Sequence, residues 1–591
     1  TVVKPTSIKT NLPLLTLLDD GSLLGSGDIT KTDAYDLSFK PGGTLVTAIR
    51  LEALPHDSLP AGGPGLCYYE GPKGDFFMGE FQVRADGEPV KIISADESYA
   101  SNNFGGARRK NGKAVDKADA VSAMAATDGD AQTGWSCAGR FGERHVAVFR
   151  LEKPVKAEKL DIRMLFGRHY ACPLGRFRVS VTDASGEVQA SSLTEDELAL
   201  LSIPQAQLGA ADRQRLKQAF LMQAPELEKE AQSIRSLLKK PVGTTTLVLS
   251  ERPAGHPRKT HRHHRGEYTQ PKEEVQPHTI SVLHPFPKDL PANRLGLAKW
   301  LVSRENPLTA RVVMNRQWAA LFGRGLVKTV EDFGYQGELP THPKLLDWLA
   351  VQFMDQGWSL KKMHRLIVTS RTYQQSSEHR ETDPALYAAA PRVRLDAEII
   401  RDSLLRASGL LDPRLGGPGV YPPQPDSVTE AAYGAFKWKP SEGPDRYRRS
   451  LYTFMKRTAP FGMFATFDGP SGESCLVRRE TSNTPLQALT TMNDIIFTES
   501  AQALGKRAAR EICANDSLRL DWLFRRVLSR LPDATERQML LTFFQSQRQR
   551  VVTGEVSAES LAGEKGATAD AAAWVLVARA LFNVDEFVTR N

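Results

Sequence analysis

The chain has 591 residues, 77 Lys and Arg against 69 Asp and Glu, a formal charge of +8 and 41% hydrophobic residues. A charged fraction of 25% with 8% aromatics is ordinary for globular proteins and excludes a mostly disordered chain. No apolar run approaches the ~18 residues of a membrane helix, and ~100–200 residues per domain gives two to four domains. The small positive charge permits an acidic partner without demanding one.

Residues 1–192 read as β structure. Runs such as Thr47-Ala-Ile-Arg-Leu-Glu-Ala53, His145-Val-Ala-Val-Phe-Arg-Leu151 and Phe177-Arg-Val-Ser-Val-Thr182 alternate apolar side chains, and Gly/Pro/Asp clusters such as Pro60-Ala-Gly-Gly-Pro-Gly65 separate them. That pattern predicts a β-sandwich or jelly roll. Thr194-Glu-Asp-Glu197 has capping-box spacing, so 193–243 is expected to be a helical hairpin linker. A strand is expected at Thr244–Ser250, and 251–291, with its prolines and basic residues, reads as an extended surface segment. Residues 244–591 form a mainly α-helical region with long irregular loops. There, Leu345, Leu346, Trp348, Leu349 and Phe353 make one apolar stripe and Leu520, Leu523, Val527 and Leu531 another. Gly323 is placed to stop the helix before it in the left-handed conformation. A strand is expected at Leu451–Phe454. The fold class is therefore α+β multidomain.

Cys67, Cys137, Cys172, Cys475 and Cys513 are scattered, and no CxxC or CxxCH occurs, which excludes a zinc ribbon and covalent haem in this chain. Cys137 and Cys172 share the β region and are candidates to pair in an oxidising compartment. The chain opens on Thr1 without a signal-like stretch, so either a targeting segment has been removed or the chain is a piece of something longer. No GxSxG, Walker, HExxH or GxGxxG pattern is present.

Two polar clusters remain as candidate sites. In His256-Pro-Arg-Lys-Thr-His-Arg-His-His-Arg265, strand alternation puts His261 and His263 on one side, where with Glu267 they offer a Zn, Cu or haem-edge site. The alternative is a solvated basic strand. Arg258 and Arg265 present forks suited to sulfate or carboxylate on an anionic polysaccharide. Without interleaved aromatics, nucleic acid is not expected. The second cluster holds Asp468, Glu473, Arg478, Arg479, Asn483 and Gln487. Thr481 or Asn483 is expected to cap a helix starting at Pro485, and the two arginines beside it suit an anion. Asp468 and Glu473 are candidates for a glycosidic carboxylate pair. The alternative is that these groups satisfy backbone where a long loop crosses helices. The catalytic version needs Asp468, Arg479 and the His261/His263 strand to converge.

Ala126-Thr-Asp-Gly-Asp-Ala-Gln-Thr-Gly-Trp135, followed by the His145 strand and Leu174-Gly-Arg-Phe-Arg-Val-Ser180, resembles the discoidin or coagulation-factor type C jelly roll, which includes many carbohydrate-binding modules. The resemblance implies a structural calcium at this turn. Asp128, Asp130 and Thr133 do crowd oxygen atoms suited to a hard cation, with an Asx turn lacking metal as the alternative. A longer series runs from Asn293-Arg-Leu-Gly-Leu-Ala-Lys-Trp-Leu-Val302 through Thr341-His-Pro-Lys-Leu-Leu-Asp-Trp-Leu349, Arg394-Leu-Asp-Ala-Glu-Ile-Ile-Arg-Asp402, Phe467-Asp-Gly-Pro470 and Thr484-Pro-Leu-Gln-Ala-Leu489 to Asn583-Val-Asp-Glu-Phe-Val588. It is similar, over about 240–591, to a planctomycete-specific family of secreted proteins built from domains of unknown function. The resemblance implies a periplasmic or secreted location and a c-type cytochrome module or subunit as partner. The expectation is thus an extracytoplasmic protein that binds, and in the catalytic version processes, polysaccharide. The alternative is a non-catalytic docking subunit of a larger redox assembly.

Overall fold

Alternation of apolar side chains builds the first unit. The computed structural model describes all residues except 102–108, 111–112, 115–120, 168–169, 239–247, 253–256, 378–382, 426–427, 429–436, 512–514 and 591. Its two compact units are Thr1–Pro277 and His278–Asn591.

The strands of the first unit are, in order, β1 (Pro5–Thr10), β2 (Leu14–Leu17), β3 (Leu23–Ser26), β4 (Thr32–Phe39), β5 (Leu45–Ala53), β6 (Phe77–Met78), β7 (Glu80–Ala85), β8 (Glu88–Val90) and β9 (Ile92–Glu97). After them come β10 (Arg109–Lys110), β11 (Lys113–Ala114), β12 (Trp135–Ser136), β13 (His145–Lys156), β14 (Leu160–Gly167) and β15 (Arg176–Thr182). Two antiparallel sheets result, ordered β1-β4-β14-β7-β8 and β2-β3-β15-β5-β13-β9. On β4, Asp33, Tyr35, Leu37 and Phe39 turn inward, two residues apart as the pleat requires. Tyr35 stacks on Phe177 of the other sheet at 5.7 Å, and Phe81 on Phe149 at 4.0 Å, so one apolar core joins both sheets as a sandwich. Trp135 is buried, and its Nε1 donates to the Tyr99 carbonyl at 2.9 Å. No disulfide joins Cys137 to Cys172: Cys137 sits in the sandwich core, whereas Cys172 packs with Cys67, Phe77 and Tyr170.

The helical linker is three helices, Glu195–Leu201, Ala210–Gln223 and Glu228–Leu238, the first begun by the expected Thr194/Glu197 capping box. Of the expected strand at 244–250, residues 244–247 lie outside the described residues and 248–250 are not in a strand. The segment after it is not merely extended. It folds into a hairpin of β16 (Thr260–His264) and β17 (Glu267–Val275), turned by Arg265 and Gly266 at positive φ.

The second unit has two apolar centres. The helices Thr309–Phe322, Pro343–Asp355 and Leu360–Val368 enclose Trp318, Phe322, Leu349, Phe353 and Met363, and Gly323 at φ 72° ends the first helix as its position predicts. Trp348 departs from expectation at 48% exposed. Leu346, Leu349, Ala350 and Phe353 hold the inward stripe, and position 348 falls about 200° round from 346. The other centre packs Ala397–Ser408, Ile495–Glu511, Asp516–Val527, Ala534–Val552 and Ala569–Phe582, with Phe544 stacked on Trp574 at 4.3 Å. Leu531 is exposed because its helix stops at Val527. The strand expected at Leu451–Phe454 is instead a 3₁₀ turn, Ser450–Tyr452, with Thr453 bridged to Val420. A short ladder, β18 (Val393–Arg394) with β19 (Thr589–Arg590), ties the end of the chain to the segment joining the two centres.

Gly505 lets its helix approach the helix Ala569–Phe582 closely. A Cβ on it would lie 2.4 Å from the Val575 amide nitrogen, in the backbone of the facing helix. Gly505→Ala therefore overpacks a contact that cannot relax by moving a side chain. It should cost about 1–3 kcal/mol, seen as a lowered midpoint in the urea unfolding of the second unit; an unchanged midpoint would show that the helices slide apart freely.

Candidate functional site

The residues singled out at 468–487 form a hydrogen-bonded knot. Asp468 has φ 58°, a conformation Asp tolerates, where it ends the short helix Gly462–Thr466. Its carboxylate accepts the Ser482 amide at 2.7 Å and the Ser482 hydroxyl at 2.8 and 2.9 Å. Gln487, buried, donates from Nε2 to the Thr466 carbonyl at 3.0 Å and accepts Arg394 Nη2 on Oε1 at 2.6 Å. Arg394 also reaches Asp585 at 3.1 Å. The cap of the helix Pro485–Asn493 is Thr484, not Thr481 or Asn483, since Thr484 is the residue directly before the N1 proline and accepts the Gln487 amide.

Arg479 forms a two-pronged pair with Glu398, at 2.5 and 3.0 Å, and lies 3.7 Å from Asp396. Burial pushes the Glu398 carboxyl up, but the bonds and charge of Arg479 outweigh it and the net shift is down. Glu473, Arg478 and Asn483 lie exposed along the same loop. Asp468 and Arg479 thus spend their hydrogen bonds on the scaffold.

Beneath this loop two buried arginines have carbonyl partners. Arg401 donates to the carbonyls of Arg448 at 2.7 Å and Arg446 at 3.1 Å, and burial lowers its pKa to about 10. Arg448 donates to the carbonyls of Pro418 and Arg414, each at 3.2 Å, and of Gly416, and lies over the Tyr452 ring at 3.8 Å. Some carbonyls of the Pro/Gly-rich loops take backbone amides, such as Tyr447 from Asp412 and Tyr452 from Val420, and guanidinium donors serve others. Arg394, Glu398, Arg401, Arg448 and Ser482 carry no sequence signal for these roles, because their partners lie 14 to 191 residues away.

The His261/His263 strand belongs to the first unit and the Asp468–Arg479 knot to the second. On β16 the pairing shifts between His261 and His263 and again between His263 and His264, so simple alternation does not place these rings. His261 Nδ1 lies 2.9 Å from the Lys272 carbonyl, and Glu267 accepts the Thr269 amide and hydroxyl. Arg258, His263 and Arg265 are exposed. Among the described residues no trio of His, Cys, Asp or Glu converges on a metal position.

Within the sandwich, the Asp128 turn closes on itself. The Thr133 hydroxyl lies 2.9 Å from both Asp128 oxygens, the Asp130 amide donates to Asp128 at 2.8 Å and the Thr133 amide to the Asp130 carbonyl at 2.9 Å. Glu80, which the sequence reading passed over, lies against this turn at 5% exposed. Its Oε1 has no hydrogen-bond partner among the described residues. Burial first, then the charges of Asp128 and Asp130, push its carboxyl up, which places three acidic side chains in one electrostatic neighbourhood.

A second feature the sequence reading missed is the loop 65–75. The Cys67 carbonyl accepts the Gly74 amide at 2.8 Å and the Gly65 amide reaches the Gly74 carbonyl at 2.9 Å, so the loop is a closed tongue. Cys67 is buried under it with Tyr170, whose ring leaves no room for a Cβ on Gly71. Above, Tyr68 and Tyr69 are 43% and 65% exposed, next to the Lys31–Glu70 pair at 3.0 Å.

Comparison with known proteins bears on the second unit. Residues 293–544 form a PSD1 domain, described as a protein of unknown function (DUF1553). The PSD1 domain takes in the three-helix centre, the 468–487 knot and both buried arginines, and begins after the sandwich. No curated protein and no solved structure matches the chain.

The Arg479–Glu398 pair gives a pH test. A carboxyl whose folded pKa is depressed stabilises the fold above its unfolded pKa, and that contribution is lost as pH falls through the folded value. Both partners are about one-third exposed, so Arg479→Gln should cost about 1 kcal/mol or less at pH 7. The gap in melting temperature between wild type and variant should narrow from pH 7 to pH 3; a constant gap would show that the pair is electrostatically idle.

Proposed function

We propose that this is an extracytoplasmic polysaccharide-binding protein whose sandwich grips sugar through Tyr68 and Tyr69. The observation that carries the reading is the pair of exposed aromatic rings on a tongue anchored from below. Exposed large aromatics held rigid are costly to leave in water, and their amphipathic rings stack on sugar faces while the hydroxyls bond at the edge. Lys31 and Glu70 beside them supply polar partners for sugar hydroxyls. The exposed Arg258, Arg265 and Arg478 are assigned to acidic groups of the same polymer. With Asp468 and Arg479 engaged in the PSD1 scaffold, binding is favoured over glycosidic chemistry.

Calcium is the cation proposed for the sandwich. The turn residues Asp128, Asp130 and Thr133 supply only oxygen donors, and Glu80, whose Oε1 takes no hydrogen bond among the described residues, adds negative charge beside them. A c-type cytochrome remains the proposed partner, by family resemblance alone. The alternative, a non-catalytic docking subunit, is favoured by one feature: the β16–β17 hairpin exposes nearly every side chain, and a lone two-stranded ribbon is marginal until something covers it.

Glycan-array screening of the intact protein should return polysaccharide hits, and Tyr68→Ala with Tyr69→Ala should weaken them at least ten-fold without changing the melting temperature. An array without hits would leave the docking reading. Separately, millimolar calcium should raise the melting temperature of the sandwich in a metal-stripped sample, and Glu80→Gln should remove that rise. If the variant responds as the wild type does, the cation is not held at the turn beside Glu80.

A further inference from the structure

The helix Leu360–Val368 begins with an uncompensated charge. Lys361 and Lys362 occupy its first turn, where the helix dipole already presents partial positive charge, and no acidic residue is in that turn. Arg365 follows one turn later on the same side, at i+4 from Lys361 and i+3 from Lys362. None of the three makes an ion pair among the described residues, and all are exposed. The neighbouring acids are committed elsewhere: Asp347 to Arg311 and Asp355 to Arg304, each at 2.7 Å. Arg304 and Arg311 nearby are therefore neutralised, while these three have no ion-pair partner among the described residues.

The same three cations line an open concavity of about 500 Å³, completed by Gln356, Leu366 and Thr369. Its wall contains no carboxylate. The sequence positions that build it recur at one face of the helix: Lys361, Lys362, Arg365, Leu366 and Thr369. Three like charges at this spacing repel one another, and an anion seated among them removes that repulsion as well as adding its own attraction.

We infer that this concavity in the PSD1 domain is a binding site for the sulfate or carboxylate groups of an acidic polysaccharide. The charge of the ligand follows from the cations. Its polymeric sugar nature rests on the glycan-binding reading of the sandwich. The site is open rather than enclosed, which suits a pendant group on an extended chain, and no aromatic side chain lines it, so stacked nucleic-acid bases find no platform. Ammonium and guanidinium groups hold such groups by charge and hydrogen bonds, and the affinity falls as salt rises.

The test uses the full chain and a fluorescent heparin hexasaccharide, titrated at 50 and 500 mM NaCl. Binding should be saturable at low salt and lost at high salt. Lys361→Gln/Lys362→Gln/Arg365→Gln should weaken it at least ten-fold, with the melting temperature unchanged because all three side chains are exposed. Lys4→Gln/Lys9→Gln/Lys40→Gln removes the same charge from the first unit and should leave binding within two-fold. Equal loss in both variants, or none in the first, overturns the site. Equal displacement by millimolar inorganic sulfate and by the hexasaccharide at matched charge would reduce it to a simple anion site, and tighter binding of a single-stranded oligonucleotide would overturn the ligand class. Tyr68→Ala with Tyr69→Ala should not alter hexasaccharide binding at this site, so failure here and failure of the sandwich reading are distinguishable.

Discussion

Buried guanidinium groups with no carboxylate ion-pair partner among the described residues hold the irregular part of the PSD1 domain together. Arg401 leaves its helix to bond the carbonyls of Arg446 and Arg448, and Arg448 passes the hold onward to the carbonyls of Arg414, Gly416 and Pro418. Each proline removes an amide donor, so a buried proline-rich loop has more carbonyls than amides, and an acceptor left unpaired costs about 1–3 kcal/mol. One guanidinium offers five donors and answers several turns at once. The cost is a cation kept away from water, visible in the lowered pKa of Arg401.

The 468–487 knot likewise pairs groups far apart in the chain. The segment leaving Phe467 turns sharply, and Asp468 does so in a left-handed conformation stabilised by Ser482 and Gln487. Gln487 then passes the bonding to Arg394 and so to Asp585 near the end of the chain. Polar residues that look from the sequence like catalytic machinery are engaged in holding chain segments dozens of residues apart. On a regular helix the domain groups three cations that have no ion-pair partner among the described residues, Lys361, Lys362 and Arg365.

The sandwich separates rigid support from exposed chemistry in a comparable way. Cys67, Phe77, Tyr170 and Cys172 form a small apolar floor beside the main core, and the tongue above it carries two tyrosines outward. Glu80 sits on the outer face of β7, opposite the inward Phe81 and Val83, because the pleat sends alternate residues to opposite sides. The Asp128 turn covers that outer face, so the carboxylate is buried without ever entering the core.

Much of this was open to reading from sequence where the signal is local. Alternation in β5, β13 and β15, the Thr194 capping box and Gly323 as a helix stop all depend on neighbours within a few residues. So did the α+β class. Tertiary structure alone decided the rest, because those features pair distant groups. Arg479 meets Glu398 across 81 residues, and Arg394 meets Gln487 across 93. The bulges that break the histidine alternation arise from cross-strand register, and the exposure of Trp348 from which face of its helix found a partner. Local propensity is written into the chain; the choice of partner for a buried charge or an open aromatic depends on long-range packing that spacing does not encode.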